Sequence, residues 1–294
     1  MWPVMLTPFR ADKSLDWKAL DALTDWYLAN GAAGLFACCQ SSEVWDLTVE
    51  ERLQVAERVI RRAGGKPVVV GGLPGFDRKA VREFVKALEG MGARAAVLTT
   101  CQVAEKEEPD TLWKDRVEGM LADSPAMPFG LYEAPRPYKR LLTRELTEWA
   151  GRSGRFVFHK DTSCKIETVA ERAAIVKGTP FGIYNAHVPI LVEAIRRGGH
   201  GFSGVAANAY PNVVAAAVRA AAGGGGEADR LQRFLTRAEK VLSVGYPMSA
   251  KLMAGWAGGP VEPVCRRKVR ALTGEDEKTL RGLRAEADRV AGRG

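Results

Sequence analysis

Eight times along this chain a short apolar run is followed by a longer segment of helical periodicity, and this alternation constrains the fold more than any other feature. The runs are Val4–Leu6, Gly34–Cys39, Pro67–Gly71, Arg94–Thr99, Pro128–Tyr132, Arg155–His159, Pro180–Tyr184 and Gly201–Gly204. The segments that follow are Asp16–Asn30, Thr48–Arg62, Asp77–Met91, Asp110–Ala122, Thr143–Gly151, Ile166–Lys177, Val188–Arg197 and Asn212–Ala222. The runs lack clean apolar–polar alternation, as strands of a parallel sheet do when both faces are buried. Asp16, Thr48, Asp77, Asp110 and Thr143 stand where N-caps are needed. Eight β-then-α units predict an α/β chain closed into a (β/α)8 barrel, the TIM architecture. An open doubly wound sheet is the other arrangement, but no G-x-G-x-x-G follows the first run.

The 294 residues exceed the roughly 250 of a typical single barrel. The clearest break is Gly223–Gly226, and beyond it the chain shows helical periodicity without a strand candidate. Leu231, Phe234, Leu235, Ala238, Val241 and Leu242 share one helical face. The expected organisation is a barrel over residues 1–222 and a C-terminal helical extension over 223–294, packed on the barrel or on a partner subunit.

Charge and cysteine usage exclude several classes. The net charge is +8, from 43 Lys and Arg against 35 Asp and Glu. The basic residues are dispersed, and the densest run, Arg266-Arg267-Lys268, is short. With no basic stripe interleaved with aromatics, nucleic acid is not an expected partner. A positive field suits small anionic substrates instead. The five cysteines form no C-x-x-C pair and there are three histidines, so zinc-site spacing is missing. Buried free thiols in a reducing cytoplasm are the expectation. No apolar run reaches about 18 residues and the N-terminus MWPVMLTPF has no basic n-region, so neither a membrane span nor a secretory signal is expected.

In a barrel of this kind, chemistry sits where strands end and loops begin. The run ending FVFHKDTS places Lys160 at that edge, on the same side as Phe156 and Phe158 by strand parity. Desolvation above apolar neighbours would favour the neutral, nucleophilic amine. The competing reading is a lysine paired with Asp161 or reaching solvent. The run ending FGLYEAP places Tyr132 at the same edge of the adjacent strand, where a phenol could relay protons. The competing reading there is a core tyrosine. The turn Gln40-Ser41-Ser42-Glu43 offers hydroxyls and N–H groups to a carboxylate, or is plain turn chemistry. The stretch Gly198–Gly204, GGHGFSG, contains Ser203 and lets backbone approach a ligand closely, as phosphate sites of other barrels do. Cys38 and Cys39 read as strand-core thiols. His159 should face away from the barrel axis and pack on helices. His187 and His200, without an evident carboxylate partner, read as loop or packing residues. Trp2, Trp17, Trp26 and Trp45 read as core or interface aromatics.

Taken in order, these motifs resemble the dihydrodipicolinate synthase/N-acetylneuraminate lyase family. The resemblance runs from about Val4 to Pro260. It rests on T-P-F at Thr7–Phe9, a turn at Cys39–Glu43 matching G-[ST]-T-G-E, Y-x-x-P at Tyr132–Pro135, K-[DE]-x-[ST] at Lys160–Ser163, and G-G-x-G at Gly198–Gly201. It implies a Schiff base between Lys160 and pyruvate or another 2-oxo acid, with Tyr132 shuttling protons. It also implies that the Ser41–Ser42 turn holds the carboxylate and joins the relay. The expected catalytic residues are Lys160, Tyr132 and Ser41, with Gln40, Ser42, Ser203 and Thr7 binding substrate. No metal or organic cofactor is expected, because the imine is itself the electron sink. The partners implied are a 2-oxo acid, an aldehyde, and further copies of the chain in a dimer or tetramer.

Departures from the family pattern narrow the activity. Cys39-Gln40-Ser41-Ser42 replaces a turn that usually carries two glycines. Cys101-Gln102-Val103 stands where a lysine-pathway synthase has a tyrosine, Pro137 where it has a substrate-gripping arginine, and Glu133 where it has asparagine. The reading is a carbon–carbon lyase other than the lysine-pathway synthase. The alternatives are a Schiff-base dehydratase acting on a sugar acid, a small-acid-binding barrel that has lost catalysis, and a phosphosugar barrel using Gly198–Gly204.

Overall fold

The computed structural model describes residues 1–75, 77–223 and 226–292. Seven parallel strands form one curled sheet whose spatial order follows the chain. They are β1 Leu35–Ala37, β2 Val68–Val70, β3 Ala95–Thr99, β4 Phe129–Tyr132, β5 Phe156–Asp161, β6 Gly182–Asn185 and β7 Gly201–Phe202. The expected first strand is reduced to a bridge between Val4 and Phe36. Pro3 has no N–H to give a ladder, yet its carbonyl accepts from Phe36 N–H at 3.0 Å, and Met5 N–H donates to Phe36 O at 3.0 Å. On the other side Trp2 N–H donates to Phe202 O at 2.8 Å. The N-terminal segment therefore joins β7 to β1, and the sheet closes as a (β/α)8 barrel.

The barrel helices are α1 Trp17–Ala29, α2 Val49–Arg62, α3 Arg78–Gly90, α4 Asp110–Asp123, α5 Arg144–Ser153, α6 Ile166–Ile175 and α7 Leu191–Arg196, with a short α8 Ala206–Ala209 before α9 Pro211–Gly223. Asp16, Thr48, Asp77 and Thr143 cap their helices as expected. Asp110 does not. It lies inside the first turn of α4 behind Pro109, and its carboxylate pairs with Arg140 at 2.6 Å. Beyond the barrel come α10 Gly226–Leu242, α11 Met248–Trp256 and α12 Gly274–Val290. Of the Gly223–Gly226 break, residues 224 and 225 lie outside the described residues. Helix α10 packs on α7, α9 and α12. Its predicted apolar face is buried except for Val241, which is partly so. No helix is long and apolar enough to cross a membrane.

The barrel interior is a small aromatic core. Phe36, Phe158, Tyr184 and Trp2 meet with ring centroids 4.8–5.5 Å apart. Gly182 and Gly201 make room for Tyr184, since a Cβ at either would stand 2.9 Å from its ring. This plug leaves chemistry to the C-terminal rim. One parity expectation fails. Phe156 does not share a face with Phe158 and Lys160, because the β4–β5 register shifts between Phe129 and Gly130. That bulge turns Phe156 outward onto Trp149 and Phe181. His159 faces outward as expected and stacks on Phe181. Cys38, Cys39, Cys101 and Cys265 are buried, but Cys164, in the loop after β5, is exposed. Trp45 is also exposed, lying beside the Arg52 guanidinium.

Candidate active site

Strand register sets the first pair. Tyr132 at the end of β4 is directly opposite Lys160 on β5, and Lys160 is opposite Tyr184 on β6. Lys160 Nζ lies 4.2 Å from the Tyr132 ring centroid and 5.9 Å from that of Phe36. Lys160 is only 4% exposed, and among the described residues no carboxylate pairs with its ammonium. Burial brings its pKa down to about 8, with the Cys39 thiol acting in the opposite sense. At pH 7 about one molecule in ten then carries the neutral amine, against roughly one in three thousand for an ordinary lysine. Tyr132 is also buried, and desolvation pushes its phenol well above the usual range, reinforced by Cys39, Tyr246 and Cys101. The phenol therefore keeps its proton at neutral pH.

The carboxylate next to Lys160 does not compensate it. Asp161 points the other way, to Arg172, which also holds Glu133 with a contact of 2.7 Å. Glu133 accepts from Leu142 N–H at 2.8 Å and Thr162 N–H at 3.0 Å, and His159 Nε2 lies 3.5 Å away. Burial would raise the Glu133 pKa, but His159, Arg172 and the Thr162 N–H together bring it down to about 2. This ion cluster stands behind the two strand ends and fixes the backbone that presents Tyr132 and Lys160. A buried Arg satisfying two carboxylates keeps both away from the amine.

The turn after β1 forms a 3-10 helix over Gln40–Ser42. Without the expected glycines it is held by side chains and by Glu43 at φ 55°. Ser42 Oγ donates to Met5 O at 2.6 Å and accepts from Cys39 N–H at 3.1 Å. Thr7 Oγ1 donates to Ser42 O at 2.7 Å. Glu43 forms a fully buried ion pair with Lys251 of α11 at 2.7 Å and accepts from Arg267 N–H at 3.0 Å. Gln40 is half-buried and its Nε2 donates to Arg136 O at 3.0 Å. Ser41 is buried. A narrow cleft lined by Phe36, Cys39, Gln40, Thr99 and Tyr132 opens here. Ser203 stands just past β7, fully buried, with no partner for its hydroxyl among the described residues.

The structure thus brings Lys160, Tyr132 and Ser41 into one rim, with Ser203 just beyond the end of β7. Thr7 and Ser42 bind backbone carbonyls and brace the turn from behind. Sequence reasoning missed Arg172, which holds Asp161 and Glu133 behind the two strand ends, whereas Cys39 is buried as expected, among Phe36, Tyr132 and Phe158. His187 does find a carboxylate, Glu239 at 4.0 Å, from the distant α10. His200 packs as expected and accepts from Ile183 N–H at 3.1 Å. Among the described residues no three His, Cys, Asp or Glu side chains gather as metal ligands.

Comparison with known proteins gives the same fold and a family. The sequence pattern of the dihydrodipicolinate synthetase family matches residues 1–286. A 4-hydroxy-tetrahydrodipicolinate synthase of Acidobacterium capsulatum is 27% identical, over 98% of this chain and 93% of that protein. The synthase of Pseudomonas aeruginosa is 28% identical over 77% and 76%. The structure of a dihydrodipicolinate synthase from Acinetobacter baumannii complexed with pyruvate superposes with TM-score 0.85 at 22% identity, covering 99% of this chain and 98% of that one. The sialic acid aldolase of Ruminococcus gnavus superposes with TM-score 0.87 at 18% identity, covering 99% and 97%. The chain belongs to the dihydrodipicolinate synthetase family.

Proposed function

We propose that this member of the dihydrodipicolinate synthetase family is a class I aldolase acting on pyruvate or another 2-oxo acid through an imine on Lys160. The observation that carries the reading is a buried, uncompensated lysine amine 4.2 Å from the ring of a buried, protonated tyrosine. The neutral amine adds to the ketone. Tyr132 gives its proton to the resulting hydroxyl, which leaves as water, and the imine forms protonated on nitrogen. In the cleavage direction the Tyr132 phenolate takes the proton of the substrate hydroxyl. The carbon–carbon bond breaks toward the iminium, leaving an aldehyde and an enamine. Protonation of the enamine carbon and hydrolysis return the 2-oxo acid and the free lysine. Ser41 holds the carboxylate, with Ser203 and Gln40 facing the rest of the substrate, and Thr7 and Ser42 supporting the turn.

The aldehyde partner differs from that of the lysine-pathway synthase. Pro137 offers no charge at the position of a substrate-gripping arginine, and the Arg136 carbonyl is occupied by Gln40 and Cys101. The chain is proposed to work in the cytoplasm as a homo-oligomer, organised as a barrel over 1–222 and an extension over 223–294. The test is borohydride reduction with a panel of 2-oxo acids, followed by peptide mass mapping. An adduct on the peptide holding Lys160 is expected. Its absence with every acid would overturn the reading.

A further inference from the structure

The cleft beside Tyr132 reaches out to Trp45, and its walls carry no charge. Phe36, Cys39, Val44, Trp45, Thr99 and Tyr132 stand on them, and among the described residues no Asp, Glu, Lys, Arg or His lines it. The ionisable groups around it are engaged elsewhere. Arg52 is buried, with Nε donating to the Val44 and Leu47 carbonyls at 3.0 and 3.1 Å and Nη1 to the Gly72 carbonyl at 3.1 Å. Glu43 is paired with Lys251, and Asp46 lies 3.7 Å from Arg267. Arg136 gives its carbonyl to Gln40 and Cys101. At the outer end the Trp45 ring rests 5.6 Å from the Arg52 guanidinium and is still 39% exposed, while Val44 and Leu47 of the same turn are buried. At the inner end Thr99 closes β3 directly opposite Tyr132. Its hydroxyl has no hydrogen-bond partner among the described residues, whereas that of Thr100 donates to Arg140 O at 2.7 Å. A free hydroxyl beside the protonated phenol and an open indole at the far end fit a ligand with one polar head and an apolar tail. A carboxylate in the same place would lose water and meet no cation.

We propose that this cleft is the aldehyde subsite and that it selects an uncharged, apolar aldehyde, with Thr99 donating to the carbonyl oxygen and Trp45 covering the tail. The inference rests on the Schiff-base reading above and names the class of the second substrate within it. In the synthetic direction the enamine carbon of the pyruvate–Lys160 adduct forms the new bond to the aldehyde carbon. The carbonyl electron pair moves onto the aldehyde oxygen, which takes the Tyr132 proton. Water then adds to the iminium and releases a 4-hydroxy-2-oxo acid and the free lysine. Thr99, across from Tyr132, holds that oxygen within reach of the phenol.

The test offers pyruvate with butanal or with succinic semialdehyde, two four-carbon aldehydes whose far ends are a methyl group and a carboxylate, and reads kcat/KM for the 4-hydroxy-2-oxo acid. The parent is expected to favour butanal by about a hundredfold. Trp45→Arg should reduce that ratio by at least about tenfold, because it removes the apolar wall and supplies a cation to the carboxylate. A merely structural role for Trp45 would slow both aldehydes alike and leave the ratio where it was. Thr99→Val should lower kcat/KM about tenfold for both and keep the parent ratio, since the hydroxyl meets the carbonyl they share. A parent that prefers succinic semialdehyde, or that uses the polyhydroxylated erythrose as well as butanal, would overturn the proposal. So would an unmoved ratio in Trp45→Arg or an unchanged kcat/KM in Thr99→Val. Borohydride trapping of pyruvate on the parent separates the two readings. If Lys160 is trapped but neither aldehyde is joined, the subsite falls and the Schiff base stands. If nothing is trapped, the Schiff-base reading falls and the subsite with it.

Discussion

Among the described residues two lysines are buried, and they are held in opposite ways. Lys251 of α11 lies with Glu43 at 2.7 Å and the Val264 carbonyl at 2.5 Å, and its charge is matched. Lys160 has an aromatic wall instead, and its neighbour Asp161 is drawn off by Arg172. Burial alone does not make a nucleophile. Burial without a counterion does, because only then is the ammonium disfavoured. Lys251 staples the extension to the turn that carries Ser41, whereas Lys160 stores the cost of desolvation as reactivity.

Substitutions should separate the two sites sharply. Lys160→Met is expected to abolish imine formation completely while making the fold more stable. The folded pKa of about 8 lies below the unfolded value near 10.5, so the unfolded chain binds more protons and wild-type stability rises with pH through that window. The variant should therefore gain about 3 kcal/mol at pH 7, with the advantage fading between pH 8 and 10.5 in urea titrations. Tyr132→Phe should keep the amine but slow turnover by about 100- to 10,000-fold. Steady-state kinetics beside trapping would show whether the loss lies in proton transfer.

At the other lysine the sign reverses. Glu43→Gln leaves Lys251 buried and unmatched, and should destabilise the protein by about 3–5 kcal/mol in chemical denaturation. The smallest effect concerns the partition itself. Arg172→Met frees Asp161 and Glu133 as uncompensated carboxylates behind Lys160. The pH midpoint of imine trapping should move up by about one unit as the amine regains its proton. An unmoved midpoint would mean that Arg172 serves stability only.

Much of this was legible in the sequence, and what was not has a physical reason. Periodicity gave the eight units and most helix caps because both are local. Lys160 and Tyr132 could be placed side by side because each ends an apolar run in a parallel sheet. The outward turn of Phe156 could not be seen, since one register shift at Gly130 reverses parity without leaving a mark in composition. The first run, expected as a strand, forms only a bridge, because Pro3 has no N–H to give a ladder. Arg172 lies 39 residues from Glu133 in the chain, and Lys251 lies 208 from Glu43. Such pairings depend on closure of the barrel and docking of the extension, which no local window records. Ser42 looked like a ligand-binding hydroxyl because it stands in the turn that holds the carboxylate in the resembled family, a turn whose glycines are missing here. Its structural bonds to Met5 and Cys39 show what replaced them.

Reactivity in this site is set by the neutral fraction of one amine, and the pH dependence of adduct formation with pyruvate and borohydride measures it. The rate should rise with a midpoint near pH 8, with mass mapping placing the adduct on Lys160 and none on Lys251. A midpoint above pH 10, as for an ordinary lysine, or an adduct on any other lysine would contradict it.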